Sequence, residues 1–564
     1  MKTDYSSFAL FKEPCAIVAV AFLFGGCSAA SGPDARDEQN GKDGPNGAAL
    51  ANAAEGAIVQ TDSGPIQGTL KDGYRTFLGV PYAAPPAGAL RWRSPQPVTP
   101  WTEARDATKF GSACAQDGSL TNIPPSGSED CLYLNVTTPW KATSAEAGRA
   151  LKPVMVYVHG GAFLRGNGGA YDTSPLVVGG DVVVVTINFR LGIFGHFAHP
   201  GLPEGGNFGI EDQAAALRWV QRNAAAFGGD PNNVTLMGQS SGGHTAVALM
   251  TAPSAAGLFQ RVILESGTAN WDWPNAGLFP DRTAGTIFPP RAEAESLGST
   301  LATQRGCADP ATAVECMRAI PANDLMSPKP GWRYAQPIYG TDFLPLHPRE
   351  ATRRGLVHRV PVLSGTNLDE GRGFSGFFFE GAPMSAERYH ERVTLSYGDK
   401  AAAVEAKYPA SAYPTPAMAW AQIMTDRIIV CGSLQANRWL GAATTTYTYE
   451  FRDRNAPLVA ALPPDVQRGA VHTFEVPYLI NLIGFNQNFT PEQKTLSNQM
   501  IQYWSQFAKT GNPNGAGLPS WSPVRSSDPV LYTQALDTGA GGIHPVDVGA
   551  EHQCAFWDSL ARNE

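Results

Sequence analysis

The chain has 564 residues, of which 60 are glycine, 45 are proline and 16% are charged; its 43% hydrophobic content excludes a disordered chain. That length accommodates one large α/β domain with long loop insertions. A formal net charge of -8 with no basic block supplies none of the phosphate neutralisation that nucleic-acid binding requires, so nucleic acid is excluded as a partner.

At the N-terminus, Lys2 and Lys12 accompany an apolar run over residues 16–24 that is too short to cross a membrane as a helix. Residues 1–27 therefore read as a signal segment. The run ends Phe24-Gly25-Gly26-Cys27, which resembles a bacterial lipobox, with Phe24 in place of the more usual leucine. The expectation is a lipidated Cys27 and membrane attachment in the periplasm or at the outer membrane, the alternative being plain secretion. Residues 28–55 are rich in Ala, Gly, Asp and Asn without apolar periodicity and read as a tether, leaving 56–564 as the folded domain.

Residues 58–68 and 74–80 read as short strands broken by glycine, an antiparallel start to a sheet. The apolar run 153–158 ends at His159-Gly160-Gly161, and the Val-rich run 181–188 follows; both are expected to be buried central strands. Residues 207–227 have helical spacing with Ala214, Leu217, Trp219 and Val220 apolar, and 234–237 reads as a strand leading into a helix through Met250. Further on, 446–451 is strand-like, and a helix is expected to end at Tyr503-Trp504. Strands alternating with helices imply an α/β fold with a mostly parallel sheet.

The strand 234–237 runs directly into Gly238-Gln239-Ser240-Ser241-Gly242, the strand–turn–helix setting of a nucleophile elbow, in which only very small residues fit two positions either side of the serine. Ser240 is the candidate nucleophile. An acyl-transfer serine also needs N–H donors aimed at a developing oxyanion. Gly161, Ala162 and Ser241 are the expected donors, with Gly160 shaping the loop. Setting aside Cys15 in the signal and Cys27, six cysteines remain: Cys114, Cys131, Cys307, Cys316, Cys431 and Cys554. Fifteen pairings are open to them. The closest spacings suggest Cys114 with Cys131 and Cys307 with Cys316, leaving Cys431 with Cys554, which suits an oxidising compartment. No paired CxxC motif occurs, and neither a metal nor a cofactor is expected.

Several further segments carry a resemblance: Phe77-Leu78-Gly79-Val80-Pro81-Tyr82-Ala83, Ser128-Glu129-Asp130-Cys131-Leu132-Tyr133-Leu134-Asn135, Asn188-Phe189-Arg190-Leu191-Gly192, Asn207-Phe208-Gly209-Ile210-Glu211-Asp212-Gln213, and Phe227-Gly228-Gly229-Asp230-Pro231. With the Ser240 elbow they resemble the type-B carboxylesterase and cholinesterase family over nearly all of the chain after the tether. The resemblance implies an α/β-hydrolase fold and a serine carboxylesterase acting on a small-molecule ester. It implies Glu370 as the acid, in Gly365-Thr366-Asn367-Leu368-Asp369-Glu370-Gly371, where Asp369 is the nearest rival, and His472 as the base, in Gly469-Ala470-Val471-His472-Thr473-Phe474-Glu475. It also supports the three cysteine pairings above. Arg190 and Asp212 read as a structural ion pair. The remaining histidines, His159, His196, His244 and His552, suit packing or surface roles.

Two departures bear on substrate. Gln239 stands where the family often has glutamate, and residues 114–131 contain no tryptophan, so recognition of a choline cation is not expected. Ala162 replaces a common third glycine of the oxyanion loop. Two other readings compete. One is a catalytically inactive binding module, whose mark would be a missing member of the Ser-His-Glu set; the other is a lipase, which would need an interfacial lid, for which only the apolar loop 376–383 offers an entrance lining. Oligomeric state is not written in the sequence.

Overall fold

The valine-rich runs become strands buried on both faces, as near-continuous apolar strands require in a parallel sheet. The structure, a computed structural model, describes residues 57–118, 125–140, 150–280, 282–327, 330–379 and 381–561; the expected signal segment, Cys27 and the tether lie outside these. Its main sheet has eleven strands. In chain order they are β1 Thr69–Lys71, β2 Tyr74–Pro81, β3 Tyr133–Pro139, β4 Lys152–Val158, β5 Val183–Ile187, β6 Gly229–Gln239, β7 Arg261–Glu265, β8 Val362–Asn367, β9 Thr446–Phe451, β10 Thr533–Leu536 and β11 Ile543–Val546. Their spatial order is β11-β10-β9-β8-β7-β6-β4-β5-β3-β2-β1. The run from β5 to β10 is parallel, while the edge pairings are antiparallel.

Alternation along these strands feeds two cores. Val154, Val156, Leu236, Val262 and Leu264 pack with helices α1 Phe208–Asn223 and α2 Ser241–Thr251, whereas Met155, Tyr157, Met237 and Ile263 pack on the opposite side with the last long helix, Pro491–Thr510. Each such side chain contributes about 1.5–3 kcal/mol on burial. Between them in sequence lies α3 Cys431–Ala443, and Pro491–Thr510 is therefore α4. Disulfides join Cys114 to Cys131, Cys307 to Cys316 and Cys431 to Cys554. Arg190 and Asp212 form a buried two-point ion pair, with Nη2 to Oδ1 at 2.7 Å and Nε to Oδ2 at 2.8 Å, that ties the end of β5 to α1.

Several expected boundaries move. Residues 58–67 do not open the main sheet; Ile58–Gln60 and Pro65–Gln67 pair with each other and with Arg105–Asp106 in a separate three-stranded sheet. The break falls at Gly68, where a Cβ would come within 2.3 Å of the Thr76 carbonyl oxygen. The helix expected over 207–227 is α-helical only to Asn223 and closes as a 3₁₀ turn, Ala224–Phe227. The helix expected to stop at Trp504 continues to Thr510, because its stop is Gly511 in a left-handed conformation (φ 78°), and a Thr490/Gln493 capping box fixes its start.

Candidate active site

Parallel α/β sheets place ligands beyond the carboxyl ends of their strands. Here β4 ends into His159, β6 into Ser240, β7 into Ser266 and β8 into Glu370, all on that edge, with β6 in the middle of the sheet.

Ser240 sits between β6 and α2 with φ 55° and ψ -121°, a backbone state that costs about 1–3 kcal/mol for a non-glycine residue. Its N–H donates to the Glu265 carbonyl oxygen at 2.8 Å. The glycines beside it are sterically required: a Cβ on Gly242 would lie 2.1 Å from the Val158 carbonyl oxygen, and one on Gly238 would lie 2.3 Å from the Gly242 carbonyl oxygen. Ser240 Oγ lies 2.8 Å from His472 Nε2, and His472 Nδ1 lies 2.6 Å from Glu370 Oε2. The other Glu370 oxygen accepts the Asn367 N–H at 2.8 Å. Residues separated by 232 and 102 positions thus meet in one hydrogen-bonded line. Burial of His472 opposes its charged form, but the Glu370 carboxylate outweighs it and raises the imidazole above its ordinary pKa.

Asp369, the rival acid, faces elsewhere. Its carboxylate is fully buried between Arg372, at 2.7 Å, and Arg454, at 2.9 Å, and it accepts the Ala470 N–H at 3.0 Å. Because the Asp369 N–H donates in return to the Ala470 carbonyl, this residue fastens the Glu370 loop to the His472 loop.

The loop after β4 brings Gly161, Ala162 and Phe163 together at positive φ, 118°, 55° and 62°. Gly160 is confined against the elbow: a Cβ there would lie 2.6 Å from Gln239 Oε1 and 3.1 Å from Ser240 Cβ. The N–H groups of Gly161, Ala162 and Ser241 bond no other described residue, and that of Ser241 opens α2, where the helix dipole adds to its pull on an anion.

Of the aromatic side chains around the site, only Phe377 falls in a segment the sequence marked, the apolar loop 376–383. Trp271 and Phe374 pack their rings 6.0 Å and 5.0 Å from His472, and Phe377 continues the aromatic wall from Phe374 to Phe279. Phe374 and Phe377 come from the segment after Glu370, Trp271 and Phe279 from the segment after β7. Glu265 and Glu475 are fully buried behind the line; Trp504 Nε1 donates to Glu265, and Asn367 donates to Glu475. Burial and then the Glu370 charge raise Glu475 to about 7, and burial and then the Glu475 charge raise Glu265, so each disfavours a second negative charge beside the first. Among the other histidines, His159 stacks on Phe189 with Nδ1 against the Gly160 carbonyl, and burial lowers His196 to about 3. His552 is not on the surface: it lies between Asp426 and Glu450.

A mostly parallel sheet with a serine elbow on its central strand defines an α/β hydrolase. The model of the carboxylesterase family matches residues 55–557. Among curated proteins the chain is similar to an acylcarnitine hydrolase of Mus musculus (34% identity, 84% of this chain and 86% of that one) and a para-nitrobenzyl esterase of Bacillus subtilis strain 168 (33%, 81% and 90%). It is also similar to a cocaine esterase of Homo sapiens (32%, 82% and 85%). A solved thermophilic PNB esterase superposes with TM-score 0.70 at 30% identity, covering 88% of this chain and 99% of that one, and a second PNB esterase with TM-score 0.69. The chain belongs to the carboxylesterase family and is a carboxylic ester hydrolase.

Proposed function

We propose that this hydrolase works through an acyl-enzyme on Ser240, with His472 as base and Glu370 as the acid that orients it. The observation that carries this is the unbroken line Ser240–His472–Glu370, with contacts of 2.8 and 2.6 Å, on a strained elbow. His472 Nε2 takes the hydroxyl proton as Ser240 Oγ attacks the ester carbonyl, while Nδ1–H stays on Glu370, which stabilises the imidazolium. The imidazolium then gives its proton to the leaving alcohol. Water attacks the acyl-enzyme along the same path. The N–H groups of Gly161, Ala162 and Ser241 receive the oxyanion, each worth several kcal/mol in such sites.

The substrates are neutral small to medium esters. Gln239 is uncharged and residues 114–131 contain no tryptophan, so a quaternary ammonium group would lose its hydration for little return. A fluorophosphonate probe tests the nucleophile directly. Labelling of the wild type and none of Ser240→Ala is expected; a folded wild-type protein that takes no label would favour the inactive binding module.

The signal over residues 1–27, lipidated at Cys27, the tether over 28–55 and the hydrolase domain over 56–564 form the proposed organisation of the exported protein. Three disulfides fit an oxidising compartment, and the family match begins at residue 55. Cys27→Ser should move the enzyme from the membrane to the soluble fraction or block its processing. Mass spectrometry finding an unlipidated mature N-terminus elsewhere would rule out the lipid anchor.

A further inference from the structure

His244 lies one helical turn beyond the nucleophile, its N–H bonded to the Ser240 carbonyl at 3.0 Å on the first turn of α2. Its ring stands edge-on to Trp271 at 4.7 Å, and Trp271 in turn flanks His472 at 6.0 Å. Phe163, the residue that follows Ala162 in the oxyanion loop, lies 6.4 Å from the His244 ring. The imidazole therefore neighbours both the aromatic wall beside His472 and the oxyanion loop.

Its protonation is fixed by chemistry. Nδ1 is 2.7 Å from the Thr268 carbonyl oxygen, which can only accept, so Nδ1 carries the hydrogen and Nε2 keeps a lone pair. Burial, aided by the neighbouring His472, holds the ring's pKa down to about 3 against that hydrogen bond, so the ring stays neutral under ordinary assay conditions. No donor among the described residues reaches Nε2. His159 Nε2 and both nitrogens of His196 are sealed from solvent without a partner, whereas His244 Nε2 is not sealed in this way, so a residue only 2% exposed overall can still meet a partner from outside the protein through that atom.

We propose that His244 is a specificity-determining residue: its Nε2 is a hydrogen-bond acceptor in the wall of the acyl site, selecting esters whose acyl chain carries a hydroxyl a few bonds from the carbonyl. This role presupposes the acyl-enzyme on Ser240. The four residues from Ser240 to His244 advance about 6 Å along a helix axis, a span that a short acyl chain covers, so a hydroxyl near its third carbon reaches the imidazole. A purely aliphatic chain of the same shape would cover Nε2 and leave its lone pair without a donor, and sites that hydrogen-bond a substrate hydroxyl discriminate against analogues lacking it.

The test is the ratio of kcat/KM for 4-nitrophenyl 3-hydroxybutanoate to that for 4-nitrophenyl 3-methylbutanoate, an isosteric pair differing in one hydroxyl. In the wild type this ratio should exceed the ratio for hydroxide-driven hydrolysis of the same two esters by about tenfold, the range of one hydrogen bond. His244→Phe keeps an aromatic ring but no acceptor and should bring the ratio down to the hydroxide value, whereas His244→Gln, which retains an acceptor, should keep part of the preference. A wild-type ratio no greater than that of hydroxide overturns the assignment without any variant. If both esters are turned over by the wild type and not by Ser240→Ala, a failed ratio removes the role of His244 alone; turnover that survives Ser240→Ala removes the acyl-enzyme reading instead.

Discussion

Two buried histidines have nearly the same surroundings and opposite uses. His472 has a carboxylate at 2.6 Å from Nδ1 and a partner at 2.8 Å from Nε2; His552 has Asp426 at 2.6 Å from Nδ1 and Glu450 at 2.8 Å from Nε2. The difference is the second partner. Ser240 offers a hydroxyl that can donate, so His472 can be neutral and accept a proton. Ionised carboxylates can only accept, so between two of them His552 donates from both nitrogens and stays charged through neutral pH, its pKa raised to about 10 by Asp426 and Glu450 in spite of burial. The first geometry suits the proposed base and the second makes a clamp, which joins the segment around Cys554 to the turn Met424–Val430 and to β9.

The comparison breaks first at the base. Ser240→Ala and His472→Ala should each lower kcat by roughly 10⁵–10⁶-fold, as for residues acting as one unit, with melting temperatures close to wild type. Residual turnover within a hundredfold of wild type would reject the assignment. Glu370→Ala should cost roughly 10⁴-fold, and Asp369→Ala far less, since Asp369 bonds arginines and backbone rather than imidazole. Greater sensitivity at Asp369 would transfer the role of acid to it. The Glu370 carboxylate raises the His472 pKa, so kcat/KM should fall as pH drops through a value above that of free imidazole, and in Glu370→Gln the fall should move to lower pH.

At the clamp the loss should be stability rather than rate. His552→Ala removes the cation shared by the buried Asp426 and Glu450, of which Glu450 keeps Arg452 at 2.9 Å; the loss costs about 3–5 kcal/mol, while kcat of the folded enzyme stays near wild type. The His552 pKa is higher folded than unfolded, so its stabilisation is complete below about 6.5, the unfolded value, and fades as pH rises through about 10. Melting curves taken across that window should therefore converge for wild type and variant at the alkaline end; a constant gap would contradict the charged clamp. The smallest effect is expected at Gln239→Glu, which should improve a choline ester only modestly against its neutral counterpart, since the aromatic contribution of roughly 0.5–2 kcal/mol is still missing. Wild-type kcat/KM for butyrylthiocholine equal to that for a nitrophenyl butyrate would reverse the substrate reading.

What was legible in the sequence was local. The elbow and the Gly160-Gly161 loop could be read because their backbone geometry demands small residues at fixed offsets between a strand and a helix. The choice of Glu370 over Asp369 needed the family resemblance, because adjacent carboxylates differ only in which distant groups they meet: Arg454 and Ala470 for one, His472 for the other. Apart from Phe377, in the apolar loop 376–383, the aromatic wall, the buried Glu265 and Glu475 and the position of His552 were invisible for the same reason, since their partners lie far away along the chain. The fold errors were boundary errors: at Gly68 and Gly511 a single glycine outweighed the surrounding pattern, and at Asn223 the α-helix tightened into a 3₁₀ turn.

The bridge from Cys431 to Cys554 has a sequence separation of 123 and encloses β9, His472 and α4, while Ser240 and Glu370 lie outside that ring. Closing so long a ring removes about 5 kcal/mol of freedom from the unfolded chain. It also means that a single protease cut inside the ring, for instance beside the exposed Leu458 or Ile483, does not release a fragment. After a cut beside Leu458 the piece bearing His472, the proposed base, remains covalently attached to the body bearing Ser240 and Glu370, so the protein can be nicked there and still hold all three residues on one molecule.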